Sequence, residues 1–209
     1  MEAIARISTN QDWITLLLLG VLFFIVLASL IDRERLKQLF VLPFTNYYLL
    51  NYDTRIWNIF NTSLFIASNL ILALFIYLVQ NHFGTSISFY NILSTILLYW
   101  FLKYTSGKLI ATLFNLKKLQ SLWVFIKASY FFSSTLYLLI FLFFAVYFFK
   151  MNRNFLIVMG VVYGILLIIR YYHFIDQYKR DIIPHFFYFI LYLCALEIAP
   201  LLIVLKISF

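Results

Sequence analysis

Six apolar stretches follow one another along this chain, at 13–31, 56–80, 88–113, 122–149, 155–173 and 183–205. Each is near or above the roughly 20 residues a helix needs to cross about 30 Å of hydrocarbon. In water, runs of Leu, Ile, Phe and Tyr of this length would aggregate. In lipid they need only satisfy their backbone polar groups, which a helix does internally. Composition agrees, with 65% hydrophobic and 11% charged residues, against roughly 45–50% and 25% in soluble domains. The expected fold is all-α: a polytopic transmembrane helical bundle of about six helices, forming one integral membrane domain over 1–209.

The net charge of +8 does not point to nucleic acid, because the basic residues fall between apolar runs instead of along one polar face. Anionic lipid headgroups are the fitting counter-charge, so the expected partner is the lipid bilayer, with a membrane-protein partner possible in addition and no nucleic acid. Orientation follows from where Lys and Arg fall. Arg33, Arg35, Lys37, Arg55, Lys103, Lys108, Lys117, Lys118, Lys127, Arg170, Lys179 and Arg180 gather on one side, leaving Arg6, Lys150, Arg153 and Lys206 for the other. Twelve against four predicts a bacterial inner membrane protein with both termini periplasmic. Glu2, Arg6 and Asp12 precede the first apolar run without a small-x-small cleavage pattern, so that run is expected to stay as an uncleaved helix.

The long connection 32–55 predicts a short interfacial helix after the first span. Leu36, Leu39 and Phe40 sit at helical spacing while Arg33, Arg35 and Lys37 fall elsewhere on the turn, as on an inner-leaflet amphipathic helix. Pro43 should stop it. Asn46, Tyr47, Tyr48, Asn51 and Tyr52 then supply rings and amides at headgroup depth. This segment reads either as a loop anchored by interface aromatics or as a docking surface for a partner.

Within the last run, Glu197 is the acidic residue well inside a span. Counted from Ile183 it lies about 20 Å deep, where a carboxylate costs about 2.5 kcal/mol or more and must be protonated, paired or facing a wet cavity. Pro200, three residues on, loosens the surrounding turn. The expected roles are a helix-locking polar contact, proton or ion handling, or a partner contact. Lys103, ten residues or about 15 Å from the end of its run, is the better mate by depth than Arg170 at about 5 Å. Lys108 and Lys127 are expected nearer the surface, snorkelling.

The segment Arg170–Asp181 is expected as an inner loop. Arg170, His173, Lys179 and Arg180 form a candidate anionic site there, for a lipid headgroup or a nucleotide phosphate. A metal set drawn from His173, Asp176 and His185 has no compact ligand spacing. The chain carries no H-E-x-x-H, G-x-S-x-G, Walker-type loop or aspartate-rich lipid-transferase motif. No cofactor, metal or catalytic residue is therefore assigned, and a non-enzymatic role is favoured. Gly160 and Gly164, spaced as G-x-x-x-G, could admit another helix closely. Cys194 lies inside an apolar run and reads as a small core residue.

The last span also carries a recognisable frame, Y-L-C-x-L-E-I-x-P, in Tyr192, Leu193, Cys194, Leu196, Glu197, Ile198 and Pro200. It resembles the carboxy-terminal signature of a Bacteroidota membrane-protein family known only as domain of unknown function 4271. The resemblance implies a multi-pass inner-membrane protein without assigned activity, and it makes Tyr192, Cys194, Glu197 and Pro200 the positions to test. The functional expectation is a subunit or accessory factor of a membrane complex. The alternatives are a small proton- or ion-coupled transporter using Glu197 and a lipid-modifying enzyme.

Overall fold

The computed structural model describes residues 12–43, 45, 47–52, 58–82, 84, 87–113, 117–148 and 153–182, with side chains along the last helix as far as Ile168. Among the described residues all regular structure is helical: α1 Asp12–Ile31, α2 Arg33–Val41, α3 Tyr47–Asn51, α4 Ile59–His82, α5 Phe89–Leu113, α6 Lys117–Tyr147 and α7 Arg153–Ile182. The apolar runs at 13–31, 56–80, 88–113, 122–149 and 155–173 underlie α1, α4, α5, α6 and α7. The run at 183–205 lies outside the described residues.

Three of these helices, α1, α4 and the section Gln120–Tyr147 of α6, are long and apolar enough to cross a membrane. The corresponding apolar section of α7, Asn154–Ile168, is shorter. α1 has Leu16, Leu19, Phe23, Val26 and Leu30 exposed, a stripe at helical spacing that hydrocarbon solvates and water does not. Its other face, with Ile14, Leu18 and Val21 buried, packs on α4.

Ring contacts and one hydroxyl pair fix the helix registers. Trp13 meets Tyr77 edge to face at 5.2 Å, and Phe89 closes on Trp13 at 5.5 Å. The start of α1, the end of α4 and the start of α5 therefore share one end of the bundle, here the far end. The Thr135 hydroxyl donates to Ser68 at 2.8 Å, and Trp100 packs on Phe131 at 5.1 Å. Eighteen residues from Trp13 and Tyr77, or about 27 Å, bring Ile31 level with Ile59 at the opposite, near end.

α2 begins at that near end and turns back. Asp32, extended at φ −154° and ψ 93°, caps it by accepting the Arg35 N–H at 2.9 Å, a bond that satisfies one of the four orphan donors of a helix start. The helix ends at Val41: Leu42 still has helical backbone at φ −51° and ψ −34°, and Pro43 after it has no N–H with which to continue the ladder. Its carboxy-terminal carbonyl, on Phe40, accepts from the Tyr137 hydroxyl at 2.7 Å. Tyr137 stands two residues past Thr135, hence level with Leu70, eleven residues or about 16 Å inward of Ile59. Even with the Tyr side chain leaning toward the start of its helix, Phe40 lies well inside the bundle relative to Ile31. The sequence RERLKQLFV explains the tilt: its charges stay at the near end, while Leu39 and Leu42 are buried. The chain then returns, and Tyr48 of α3 comes back to Arg35. Residues 33–52 thus form a hairpin that dips into the bundle alongside α6.

The interior divides accordingly. One cluster at the near end joins Leu39, Leu42, Tyr48, Phe60, Leu64 and Ile126. A second runs to the far end through Val21, Leu74, Leu142 and Met159. Gly160 faces Phe75 of α4, where an added Cβ would meet the ring at an ordinary 3.8 Å, and Gly164 has nothing within 4 Å. Among the described residues the G-x-x-x-G pair is not used for a close helix approach.

Candidate functional site around Arg35

The amphipathic reading of α2 grouped Arg35 with the exposed charges, and the structure places it inside. Arg35 is only 7% exposed and lies on one face with Leu39 and Leu42, at spacings of four and three. Its Nε donates to the Tyr48 hydroxyl at 3.1 Å, and its Nη2 donates to Asn61 Oδ1 at 3.3 Å. The guanidinium carbon lies 4.7 Å from the Phe60 ring centroid, 5.1 Å from Tyr52 and 5.7 Å from Tyr48. Tyr48 in turn stacks on Phe125 of α6 at 5.8 Å and 13°.

A buried charge is costly unless its environment supplies compensation. For Arg35 that compensation comes from ring faces and neutral oxygens. Guanidinium stays charged under all ordinary conditions, so the cage holds a full positive charge. Lys37 offers the contrast: it pairs with Glu34 at 2.8 Å on the surface, where the Lys37 hydrogen bond and then its charge hold the Glu34 carboxyl below its ordinary value. Burial pushes the Tyr48 hydroxyl above its ordinary value, with the charge and hydrogen bond of Arg35 pulling the other way. Tyr52 is raised as well, again chiefly by burial.

Two further cations share this level. Lys103 Nζ donates to the Tyr99 hydroxyl at 3.2 Å and lies 5.5 Å from the Trp100 ring centroid. Lys103 is one turn past Trp100 and Lys127 one turn before Phe131, so the Trp100–Phe131 contact sets the two lysines side by side in height. From the Ser68–Thr135 pair, seven residues back on α4 and eight back on α6 reach Asn61 and Lys127. Arg35, Lys103 and Lys127 therefore lie within about one turn of one plane, at the near end.

This corrects the depth expected for Lys103 relative to Lys127. Counting from residue 113 places the hydrocarbon edge at the helix end, whereas α5 continues about seven residues past the level of Ile59. Lys127 is also 9% exposed and buried rather than snorkelling into solvent.

Further in, α4 and α6 share a seam of small polar residues. Ser63, Ser68, Asn69, Ser129, Ser133, Ser134 and Thr135 are buried, and most bond carbonyls of their own helix: Ser63 to Phe60, Ser129 to Phe125, Ser134 to Phe131. Such back-bonding lets hydroxyls lie in an apolar interior. Among the described residues Asn69 Oδ1 and Ser133 Oγ have no hydrogen-bond partner.

The expected inner loop Arg170–Asp181 is helical instead, since α7 runs unbroken to Ile182. Tyr192, Cys194, Glu197 and Pro200 lie outside the described residues, so Lys103 alone of that candidate set has a place here. Arg35 was missed because its neighbours at i+1, i+4 and i+5 are apolar and suggest a different buried face. The readable signal was Tyr48 and Tyr52 at i, i+4, a pair of amphipathic rings suited to hold a cation.

A family model described as domain of unknown function (DUF4271) matches residues 14–207. No curated protein matches the chain, and no solved structure does.

Proposed function

Since the chain belongs to the DUF4271 family, we propose that it is a multi-pass inner-membrane protein acting as a non-enzymatic subunit or accessory factor of a membrane complex. The carrying observation is the Arg35 clasp, which joins α2, α3 and α4 through Tyr48 and Asn61 and so gives the 33–52 hairpin a set shape. Pre-ordered surfaces lose less conformational entropy on docking than loose loops do. Arg33, Glu34 and Lys37 stay exposed on this hairpin, as polar contacts for a partner. In this reading the near end is cytoplasmic, because the basic residues concentrate there, and both termini are periplasmic.

Reversible crosslinking and affinity purification from the native membrane test the reading. A stoichiometric partner is expected, lost on combined Arg33→Glu and Lys37→Glu with membrane insertion unchanged. If no partner is captured, and proton- or ion-coupled flux in reconstituted vesicles collapses on Glu197→Gln, the transport alternative replaces it.

A further inference from the structure

Arg35 is neutralised by no carboxylate among the described residues, and its hydrogen bonds use Nε and one hydrogen of Nη2. Nη1 is bonded to neither Tyr48 nor Asn61, and it is not among the fully buried unpartnered atoms. Nη1 is therefore not sealed off, and the guanidinium can still donate from that edge. We propose that this open edge binds a phosphate oxygen, with Arg35 as an anion receptor built into the base of the hairpin.

Three observations carry the proposal. The first is height: Arg35 is level with Asn61, and hence with the end of α1, whose 20 apolar residues span about 30 Å. That is the level at which a bilayer changes from hydrocarbon to phosphate. The second is potential: Lys103 and Lys127 lie in the same plane, and Lys127 is buried, so the low-dielectric surroundings raise the attraction for an anion over what a water-exposed cation exerts. The third is geometry: Tyr48 and Asn61 hold the planar fork along its Nε–Nη2 edge, while the Phe60 and Tyr52 rings lie 4.7 and 5.1 Å from its carbon. The guanidinium is thus oriented before any ligand arrives, as planar recognition of phosphate requires. Arg33 and Lys37, both exposed, have no such cage.

The phosphate can come from the headgroup of an anionic phospholipid or from a soluble phosphorylated compound. Full-length protein in detergent is titrated with phosphatidylglycerol, with an uncharged galactolipid of the same chains, and with inorganic phosphate. Retained adducts are read by native mass spectrometry, and the unfolding midpoint is read in parallel. Wild type should retain phosphatidylglycerol over the galactolipid by about tenfold, the equivalent of one charge-assisted contact. Arg35→Lys, which keeps the charge and loses the fork, should remove most of that preference, and Arg33→Gln should leave it intact. A midpoint raised by inorganic phosphate but not by phosphatidylglycerol assigns the site to a soluble ligand. Equal retention of both lipids by wild type, without a phosphate effect, overturns the proposal even if Arg35→Lys does not fold. An Arg33→Gln loss as large as that of Arg35→Lys overturns it as well. No protein partner enters these readouts, so the outcome is independent of the accessory-subunit reading.

Discussion

At the near end, polar side chains reach across long stretches of chain to one another. In the seam between α4 and α6 they mostly bond to the helix on which they stand. Arg35 joins Tyr48 and Asn61, 13 and 26 residues away, whereas Ser129 bonds Phe125 and Ser134 bonds Phe131, four and three residues back. The first arrangement specifies tertiary structure, because each bond exists only when separate elements meet. The second merely makes polar residues tolerable in an apolar interior. Ser68 and Thr135 form the crossing point between the two kinds, bonding helix to helix at 2.8 Å.

The sharpest way to break the contrast is Arg35→Leu. It fills the cage with apolar volume but leaves the Tyr48 hydroxyl and Asn61 Oδ1 without the donor each now has. Hydrogen bonds to charged groups contribute about 1.5–3 kcal/mol each, and the buried cation's own desolvation offsets part of the total. A net loss of about 3 kcal/mol is expected by steric-trap unfolding in bicelles. A cysteine introduced at exposed Val41 should become more reactive as the hairpin loosens. Unchanged stability would mean that the rings alone hold α2 in place.

Tyr48→Phe is the next step down. It keeps the stack on Phe125 and removes one acceptor, for an expected loss of about 1–2 kcal/mol. The pH dependence has a definite sign. Burial raises the Tyr48 pKa in the folded protein above its ordinary value of 10.0, so the native state holds this proton more tightly than the unfolded chain does. The stability it contributes is complete below about pH 10 and declines as pH rises through the higher folded value. Wild type should therefore lose stability above about pH 10 by a component that Tyr48→Phe lacks. Identical declines of wild type and Tyr48→Phe above pH 10 would show that the hydroxyl is not shielded.

These two regions also differ in how far they can be read from residues alone. Continuous hydrophobicity is a local property, so the apolar runs locate α1, α4 and α6, and Pro43 marks the end of α2. Small hydroxyls inside an apolar run likewise announce back-bonding, because the acceptor is always three or four residues away. The burial of Arg35 depends instead on the return of Tyr48 and the arrival of Asn61, which no periodicity within RERLKQLFV encodes. The common height of Lys103 and Lys127 was hidden for a related reason. Depth counted along one helix needs a boundary, and the boundary is supplied by other helices: α1 through Trp13 and Tyr77, α6 through Phe131 and Trp100.

The smallest effects lie in the seam, where two serines of similar burial should respond in opposite directions. Ser68 is 2% exposed and accepts the Thr135 hydroxyl. Thr135 also bonds the Phe131 and Phe132 carbonyls, so it keeps acceptors if Ser68 becomes alanine. The loss should stay near the roughly 0.6 kcal/mol average of interhelical hydrogen bonds in membranes. Ser133 is fully buried, and its hydroxyl has no partner among the described residues, so its desolvation is uncompensated there. Ser133→Ala removes that cost and one oxygen of volume, and should leave stability unchanged or raise it by up to about 1 kcal/mol. Both variants are measured in the same bicelle unfolding assay. A Ser133→Ala loss larger than that of Ser68→Ala would show that the Ser133 hydroxyl holds a bond across the seam, and the division between bridging and back-bonded polar groups would fail at that position.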